Sequence, residues 1–487
     1  INYFGSVVVG CMWTCKLSLF ISLCNVLFFS PQYGIVLDAG SSRTTVYVYE
    51  WPAEKENDTG VVSQIFKCSV KGPGISSYEN NPGALAKPFG DCLNKVKERI
   101  PVHLHKNTSA YLGATAGMRL LRLQNETAAN EVLASIQNYF RAQPFEFRGA
   151  QIITGPEEGL YGWITANYLT GKTVHPQKRT TMGALDLGGA STQISFIPED
   201  FQDNPNSTLQ VKLYGYEYNV YTHSFQCYGR DEAEKRSLAL LLQVTSSNVD
   251  NPCYPQNYET AFTMKYFCGS LCTQSLRPAN YYPNQLVKFR GTGDPGLCQE
   301  MVSLLFNFTA CRDRRECPFN GIHQPKVKGN FVAFSGFYYT INALNLSGHF
   351  SLADFNSSMW FFCSQSWVQV IQNKLMLIKF CFVSNFIYYL LVHGYKFDAE
   401  TWPQIHFQKE VGNSSIAWSL GYMLSLTNMI PAESKLIQLP LKPSLFAGLL
   451  LFFTAMALLC LIFLVYLCIV SCNQKNISHV EQVFTPE

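Results

Sequence analysis

Two aspartates keep nearly the same company: Asp38-Ala39-Gly40-Ser41-Ser42-Arg43-Thr44-Thr45 and Asp186-Leu187-Gly188-Gly189-Ala190-Ser191-Thr192-Gln193. Glycine lets backbone N–H groups turn towards an anion, and the hydroxyls donate further hydrogen bonds, so either loop suits a phosphate. An aspartate repels phosphate but can hold the water shell of Mg²⁺ or Ca²⁺. Taken singly, such a string is a tight turn. Two in matched context make a clamp for phosphate and a cation together.

Two further clusters carry chemistry. Gly113-Ala114-Thr115-Ala116-Gly117-Met118-Arg119 combines small residues, which allow close backbone approach, with a hydroxyl and a cation. Gly155-Pro156-Glu157-Glu158-Gly159 sets two carboxylates at a helix start, where acidic side chains ordinarily just complement the helix dipole. Histidine offers no rival chemistry: His103 and His105 have no third ligand at zinc spacing, and the nine histidines are scattered, as surface residues are.

These residues need elements to hold them. Tyr33 to Leu37 and Met182 to Leu185 are short apolar runs before the two loops, and Val46 to Tyr49 and Gln193 to Phe196 are strand-like runs after them. The units lie 148 residues apart, Asp38 to Asp186, about one domain length, which predicts a duplicated lobe. Between the copies, Glu126 to Tyr139 has a helical pattern, Ala150 to Thr154 reads as a strand and Glu157 to Leu169 as a helix, which is α/β grammar. A cysteine-rich stretch follows Pro198. Ile416 to Leu426 reads as a membrane-proximal helix, and Pro431 to Pro443 as a short stalk.

The 487 residues, 47% hydrophobic and 15% charged, suffice for two domains with apolar sequence left over. Leu445 to Val470 carries no charge and as a helix would reach roughly 39 Å, enough to cross a bilayer with some tilt. Near the other end, Leu17 to Ser30 reads as an uncleaved signal anchor, with a cleaved signal peptide or a truncated end as alternatives. Sequons at Asn57, Asn107, Asn125, Asn206, Asn307, Asn345, Asn356 and Asn413 place the region between these segments in the secretory lumen. Eleven cysteines fall in that region, at spacings that match no zinc motif and suit disulfides. A net charge of +3 without a basic stripe argues against nucleic acid. The expected organisation is a membrane segment (1–32), lobe I (33–154), lobe II (155–415), a return to lobe I (416–433), a stalk (434–444), a transmembrane helix (445–470) and a cytoplasmic tail (471–487).

Asp38 to Thr45, Leu112 to Leu121, Glu157 to Leu169, Ala184 to Phe196 and Asn330 to Tyr339, in this order and spacing, resemble the five signature regions of the ecto-nucleoside triphosphate diphosphohydrolase (apyrase) family. The likeness runs from about Tyr33 to Pro431, and Arg122 to Val132 is similar to its type 3 cell-surface branch. The resemblance implies an α/β fold of two ribonuclease-H-like lobes, as in the actin, heat-shock chaperone and sugar-kinase superfamily, with nucleotide in the cleft between them. It further implies hydrolysis of extracellular ATP, ADP and other nucleotides with Ca²⁺ or Mg²⁺, at a cell membrane whose lipid holds the anchor. Self-association through membrane helices is a further expectation.

Carried over by residue, Glu158 matches the catalytic base, and Asp38 and Asp186 match the aspartates that hold the cation through water, with Thr115 and Trp418 beside them. Ser41, Ser42, Arg43, Gly188, Gly189, Ala190, Ser191 and Gln193 match the phosphate-binding set, and Tyr339 the aromatic that stacks on the base. The implied disulfides are Cys68–Cys92, Cys227–Cys272, Cys253–Cys298, Cys311–Cys317 and Cys363–Cys381, which leaves Cys268 free. The chain departs from the family pattern in a shortened, basic and apolar stretch, Gln369 to Phe380, where the second side of the base slot is expected, and in a short link from Thr170 to Thr181. Two other readings compete: a kinase of the same superfamily, and a nucleotide-binding protein without turnover.

Overall fold

A computed structural model describes residues 31–52, 61–171, 181–199, 208–213, 216–244, 248–311, 316–372, 378–429 and 443–481. Residues 1–30 of the N-terminal membrane segment, the stalk up to residue 442, Asn57, Asn206 and most of the link after Thr170 lie outside the described residues.

In the first lobe, β1 (Gln32–Ala39) and β2 (Thr44–Trp51) form a hairpin around the first loop. Strand β3 (Ser63–Ser69) adds antiparallel on one side, and β4 (Ser109–Ala114) and β5 (Glu146–Ile152) add in parallel on the other, giving the order β3-β2-β1-β4-β5. Side chains alternate across a strand. Ile35 and Leu37 therefore enter a core with Phe89, Val132, Ile136 and Phe140 of the covering helices, while Val36 faces the other way.

The second lobe repeats the plan. Strands β6 (Gly183–Leu187) and β7 (Ser191–Phe196) form the hairpin, β8 (Thr208–Leu213) and β9 (Tyr216–Gln226) extend it antiparallel, and β13 (Phe331–Ser335) and β14 (Ile405–Phe407) extend it in parallel. The run β9-β7-β6-β13-β14 has the same order and directions as β3-β2-β1-β4-β5, with β8 as an extra edge. A small separate sheet, β10 (Asn248–Asn251), β11 (Glu259–Thr263) and β12 (Leu286–Gly291), lies in the cysteine-rich insertion.

Disulfides join Cys68 to Cys92, Cys227 to Cys272, Cys253 to Cys298, Cys311 to Cys317 and Cys363 to Cys381. Cys268 is an unpaired buried thiol, which burial pushes up to about 11. Of the shortened stretch Gln369 to Phe380, residues 373–377 lie outside the described residues. Its flanks are tied down: Val370 is buried, and the Lys379 ammonium donates to Glu234 at 2.6 Å.

Two helices cross between the lobes. Gly155–Leu169 follows β5 of the first lobe but packs on β6, β7 and β9 of the second, while Trp418–Met429 returns to lie against β1 and β2. A Cβ on Gly421 would overlap the Tyr161 carbonyl oxygen, so only glycine permits this approach. Thr165 Oγ1 stitches the crossing, donating to the Ala417 carbonyl (2.7 Å) and accepting from the Gly421 N–H (2.8 Å). The segment read as a membrane-proximal helix, Ile416 to Leu426, is thus the centre of the interlobe core, with Leu420, Met423 and Leu424 each 1% exposed. Its apolar character on all sides fits a fully buried helix as well as a lipid-facing one.

Pro431–Glu487 is a separate unit whose described part is one helix, Pro443–Glu481. Leu451, Phe452, Phe453, Leu461 and Phe463 are among its exposed apolar side chains. Among the described residues, whose side chains along this helix run mainly from Leu451 to Leu467, no helix is long and apolar enough to cross a membrane.

Candidate active site

Both hairpin turns open into one interlobe cleft of about 230 Å³. They face each other closely, since a Cβ on Gly189 would come within 2.5 Å of the Ser41 hydroxyl. The second turn is braced by the start of the helix Arg230–Val244: the Arg230 N–H donates to the Gly188 carbonyl (3.0 Å), and the Asp231 and Glu232 N–H groups to that of Gly189 (2.9 and 3.1 Å).

Asp38 and Asp186 hold equivalent places, each the last residue but one of its strand. Asp38 pairs across the hairpin with Thr45 and sits beside Gly113 of β4, while Asp186 pairs with Gln193 and sits beside Phe334 of β13. The Trp418 indole lies over Gly113, where any Cβ would strike the ring, and its Nε1–H donates to Asp38 Oδ1 at 2.9 Å. Thr115 follows β4, its N–H donating to the Ala39 carbonyl (3.1 Å), and stands as the N-cap residue of the helix Ala116–Gln124.

The two glutamates part company at the helix start. Thr154 caps the helix Gly155–Leu169 in a capping box, accepting from the Glu157 N–H, while Glu157 Oε2 accepts from the Thr154 N–H (2.8 Å) at the surface. Glu158, one residue on, turns inward and is 7% exposed. Arg119 Nη2 donates to its Oε2 at 2.8 Å, and Gln193 Nε2 donates to the same oxygen at 3.2 Å. Arg119 also donates to the Ile153 carbonyl, Gln226 Oε1 and Ser191 Oγ, so its fork is fully committed. Gln193 Oε1 is buried without a partner among the described residues, an acceptor left for water.

The electrostatics ask for a cation. Burial, then the charge of Glu158, push the Asp38 carboxyl up to about 7, although the Trp418 N–H and Arg43 pull the other way. The same two causes push Asp186 up to about 8 against a Ser335 hydrogen bond. Arg119 compensates only Glu158. Among the described residues no three acidic, histidine or cysteine side chains converge closely enough to ligate an ion together. The carboxylate oxygens of Asp38 and Asp186 are the donor type that a hard divalent ion takes.

Of the residues that the resemblance assigns to catalysis, cation, phosphate or base, Gln193 alone stands behind the cleft wall, while Ser41, Ser42, Arg43, Ala190 and Tyr339 line it with the rest. Tyr339, 40% exposed on the helix Gly336–Ala343, lies under the Arg43 guanidinium, 5.9 Å from ring centroid to Cζ. Arg43 thus faces an aromatic ring, where the sequence pattern assigns it to phosphate. Sequence reasoning left Arg119 without a role, since its partner Glu158 is 39 residues away. It missed Ser335, a cleft residue held at φ 52°, a backbone state costly for any side chain but glycine. Nothing in the residue type signals that strain.

Fold and cleft define a two-lobed α/β protein with paired turns and buried carboxylates at the lobe interface. The chain belongs to the GDA1/CD39 (nucleoside phosphatase) family, whose model matches residues 29–439. It is 63% identical over 468 residues to human ectonucleoside triphosphate diphosphohydrolase 3, covering 92% of this chain and 88% of that one. To the chicken ectonucleoside triphosphate diphosphohydrolase 8 it is 46% identical over 470 residues, covering 92% and 95% of the two chains. The fold is shared with the crystal structure of a nucleoside triphosphate hydrolase from Neospora caninum, at a TM-score of 0.59 and 16% identity over 86% of this chain and 97% of that one.

Proposed function

We propose that this chain hydrolyses nucleoside tri- and diphosphates, ATP and ADP among them, to the monophosphate and inorganic phosphate at the outer face of a cell membrane. The observation that carries the reading is Glu158, buried between two facing turns and gripped through one oxygen only. The backbone and hydroxyls of Ser41, Ser42, Gly188, Gly189, Ala190 and Ser191 hold the phosphate chain. Asp38 and Asp186, with Thr115 and Trp418 beside them, hold Ca²⁺ or Mg²⁺ through water. A bound ion of this kind neutralises charge on the phosphate oxygens.

Arg119 and Gln193 fix Glu158 by Oε2, which leaves Oε1 to accept a proton from water. The water oxygen bonds to the terminal phosphorus in line with the departing oxygen, the anhydride P–O bond breaks, and the shorter nucleotide leaves with that electron pair. No acceptor beyond water is required. The helix Pro443–Glu481 serves as the anchor, crossing the membrane through Leu445 to Val470. Glycans on the outer side are supported by the exposure of Asn107, Asn125, Asn307, Asn345 and Asn413, while Asn356 is half-buried in the helix Leu352–Cys363.

Phosphate release from ATP and ADP by the full-length chain, with and without a chelator, tests the reading. Release without any acceptor, abolished by chelation and restored by Ca²⁺ or Mg²⁺, is expected. Dependence on a sugar or carboxylate acceptor points to the kinase reading, and binding without release to the non-enzymatic one.

A further inference from the structure

We infer that Ser335 is a positioning residue for the cation, its hydroxyl fixing the Asp186 carboxylate in the second lobe as the counterpart of Thr115 in the first; this rests on the cation reading above. The duplicated sheets make the two positions comparable. Strand β4 stands beside the strand that carries Asp38, and β13 beside the strand that carries Asp186, each parallel to its neighbour. Each runs straight into a helix, Ala116–Gln124 after β4 and Gly336–Ala343 after β13. At each junction the N-cap residue bears a hydroxyl, Thr115 in one lobe and Ser335 in the other. Neither hydroxyl caps its own helix, so both are left for the cleft, which both residues line.

The two junctions differ by one residue. Thr115 comes two residues after Gly113, the partner of Asp38, whereas Ser335 comes one residue after Phe334, the partner of Asp186. The shorter junction has to turn more sharply: Thr115 keeps φ −107° and ψ −146°, while Ser335 is driven to φ 52° and ψ −124°. The turn has no room to relax, since a Cβ on Gly336 would come within 2.6 Å of the Leu187 carbonyl oxygen. Glycine adopts such a backbone freely and serine does not, so the strain calls for something that only the side chain supplies. The Ser335 hydroxyl supplies it by donating to the Asp186 carboxylate. A strained serine between strand and helix is also how some hydrolases present a nucleophile, but no histidine stands among the described residues of the cleft to take its proton.

Ser335→Gly and Ser335→Ala in the full-length chain separate the hydroxyl from the strain, because both remove the oxygen and only glycine relieves the backbone. The readouts are the melting temperature of the metal-free protein and calorimetric titration with Ca²⁺ alone. Ser335→Gly should melt roughly 1 to 4 °C above Ser335→Ala. Both should bind Ca²⁺ roughly 10- to 100-fold more weakly than the unsubstituted chain, the usual loss when the partner of a metal-holding carboxylate is removed. Weaker Ca²⁺ binding by the more stable variant is a result that a merely structural serine does not produce. Unchanged Ca²⁺ affinity in both variants overturns the role of Ser335 and leaves the cation reading standing, and equal melting of the two variants overturns the strained junction on which it is built. An unsubstituted chain that binds no Ca²⁺ overturns the cation reading itself, and the role of Ser335 with it.

Discussion

Glu157 closes a capping box at the surface, while Glu158, one residue later on the same helix, is carried into the cleft against Arg119. Their separation predicts unequal substitutions. Glu158→Gln keeps size and hydrogen bonding but removes the basic oxygen, and should lower turnover of ATP and ADP roughly 10² to 10⁴-fold while nucleotide binding survives. Glu157→Gln should change turnover little, since glutamine also completes a capping box. Similar small effects at both positions, in steady-state kinetics with calorimetric binding, would remove Glu158 from the chemistry. A second prediction follows from Asp38 and Asp186. A carboxyl raised in the folded chain contributes stability that is complete below its unfolded value of about 4 and is lost as pH rises through about 7 to 8. The metal-free protein should therefore melt at lower temperature at pH 8 than at pH 6, and Ca²⁺ should raise its melting point more at pH 8. Metal stabilisation that is flat with pH contradicts the assignment. The meeting of Asp38 and Asp186 in one cleft was legible in the sequence because their neighbours repeat, whereas Glu158 stood out from Glu157 only through the family resemblance. Arg119 and Ser335 were not legible, because a partner 39 residues away and a backbone angle leave no local mark.

At the scale of elements, each lobe's turn is positioned by its own hairpin, and the lobes are joined by helices that cross to the opposite sheet. The crossing depends on Gly421 lying against the Tyr161 backbone. Gly421→Ala should force the helices Gly155–Leu169 and Trp418–Met429 apart, at about 1 to 3 kcal/mol or more of stability, and shift Glu158 and Trp418 with them. Denaturant unfolding together with turnover measures both. Unchanged stability would show that the helices are not in contact there. The duplication was legible because the two turns carry the same residue types between the same kinds of strand. The return of 416–433 to the first lobe was an expectation of the resemblance, whereas the burial of the helix Trp418–Met429 between the lobes was not legible, since an all-apolar pattern does not distinguish burial in protein from burial near lipid. Strands β10 to β12 could not be ordered from sequence, because β10 pairs directly with β12, skipping the β11 that lies between them in the chain, and that register is set by distant residues.

For the whole molecule, the two lobes bring to one cleft two turns, two aspartates and a glutamate that lie from residue 38 to residue 191 of the chain, and the closing helix supplies Trp418 from much further on. The outward-facing, water-using phosphatase is the claim on which the rest depends. Its most direct test is isotopic: intact cells carrying the full-length chain are given ATP in water enriched in ¹⁸O, and the products in the medium are weighed by mass spectrometry. Attack by water on the terminal phosphorus predicts one ¹⁸O in each released phosphate, none in the remaining nucleotide, and loss of the signal with Glu158→Gln. Phosphate that carries no ¹⁸O, or label that appears only in the nucleotide, would contradict it.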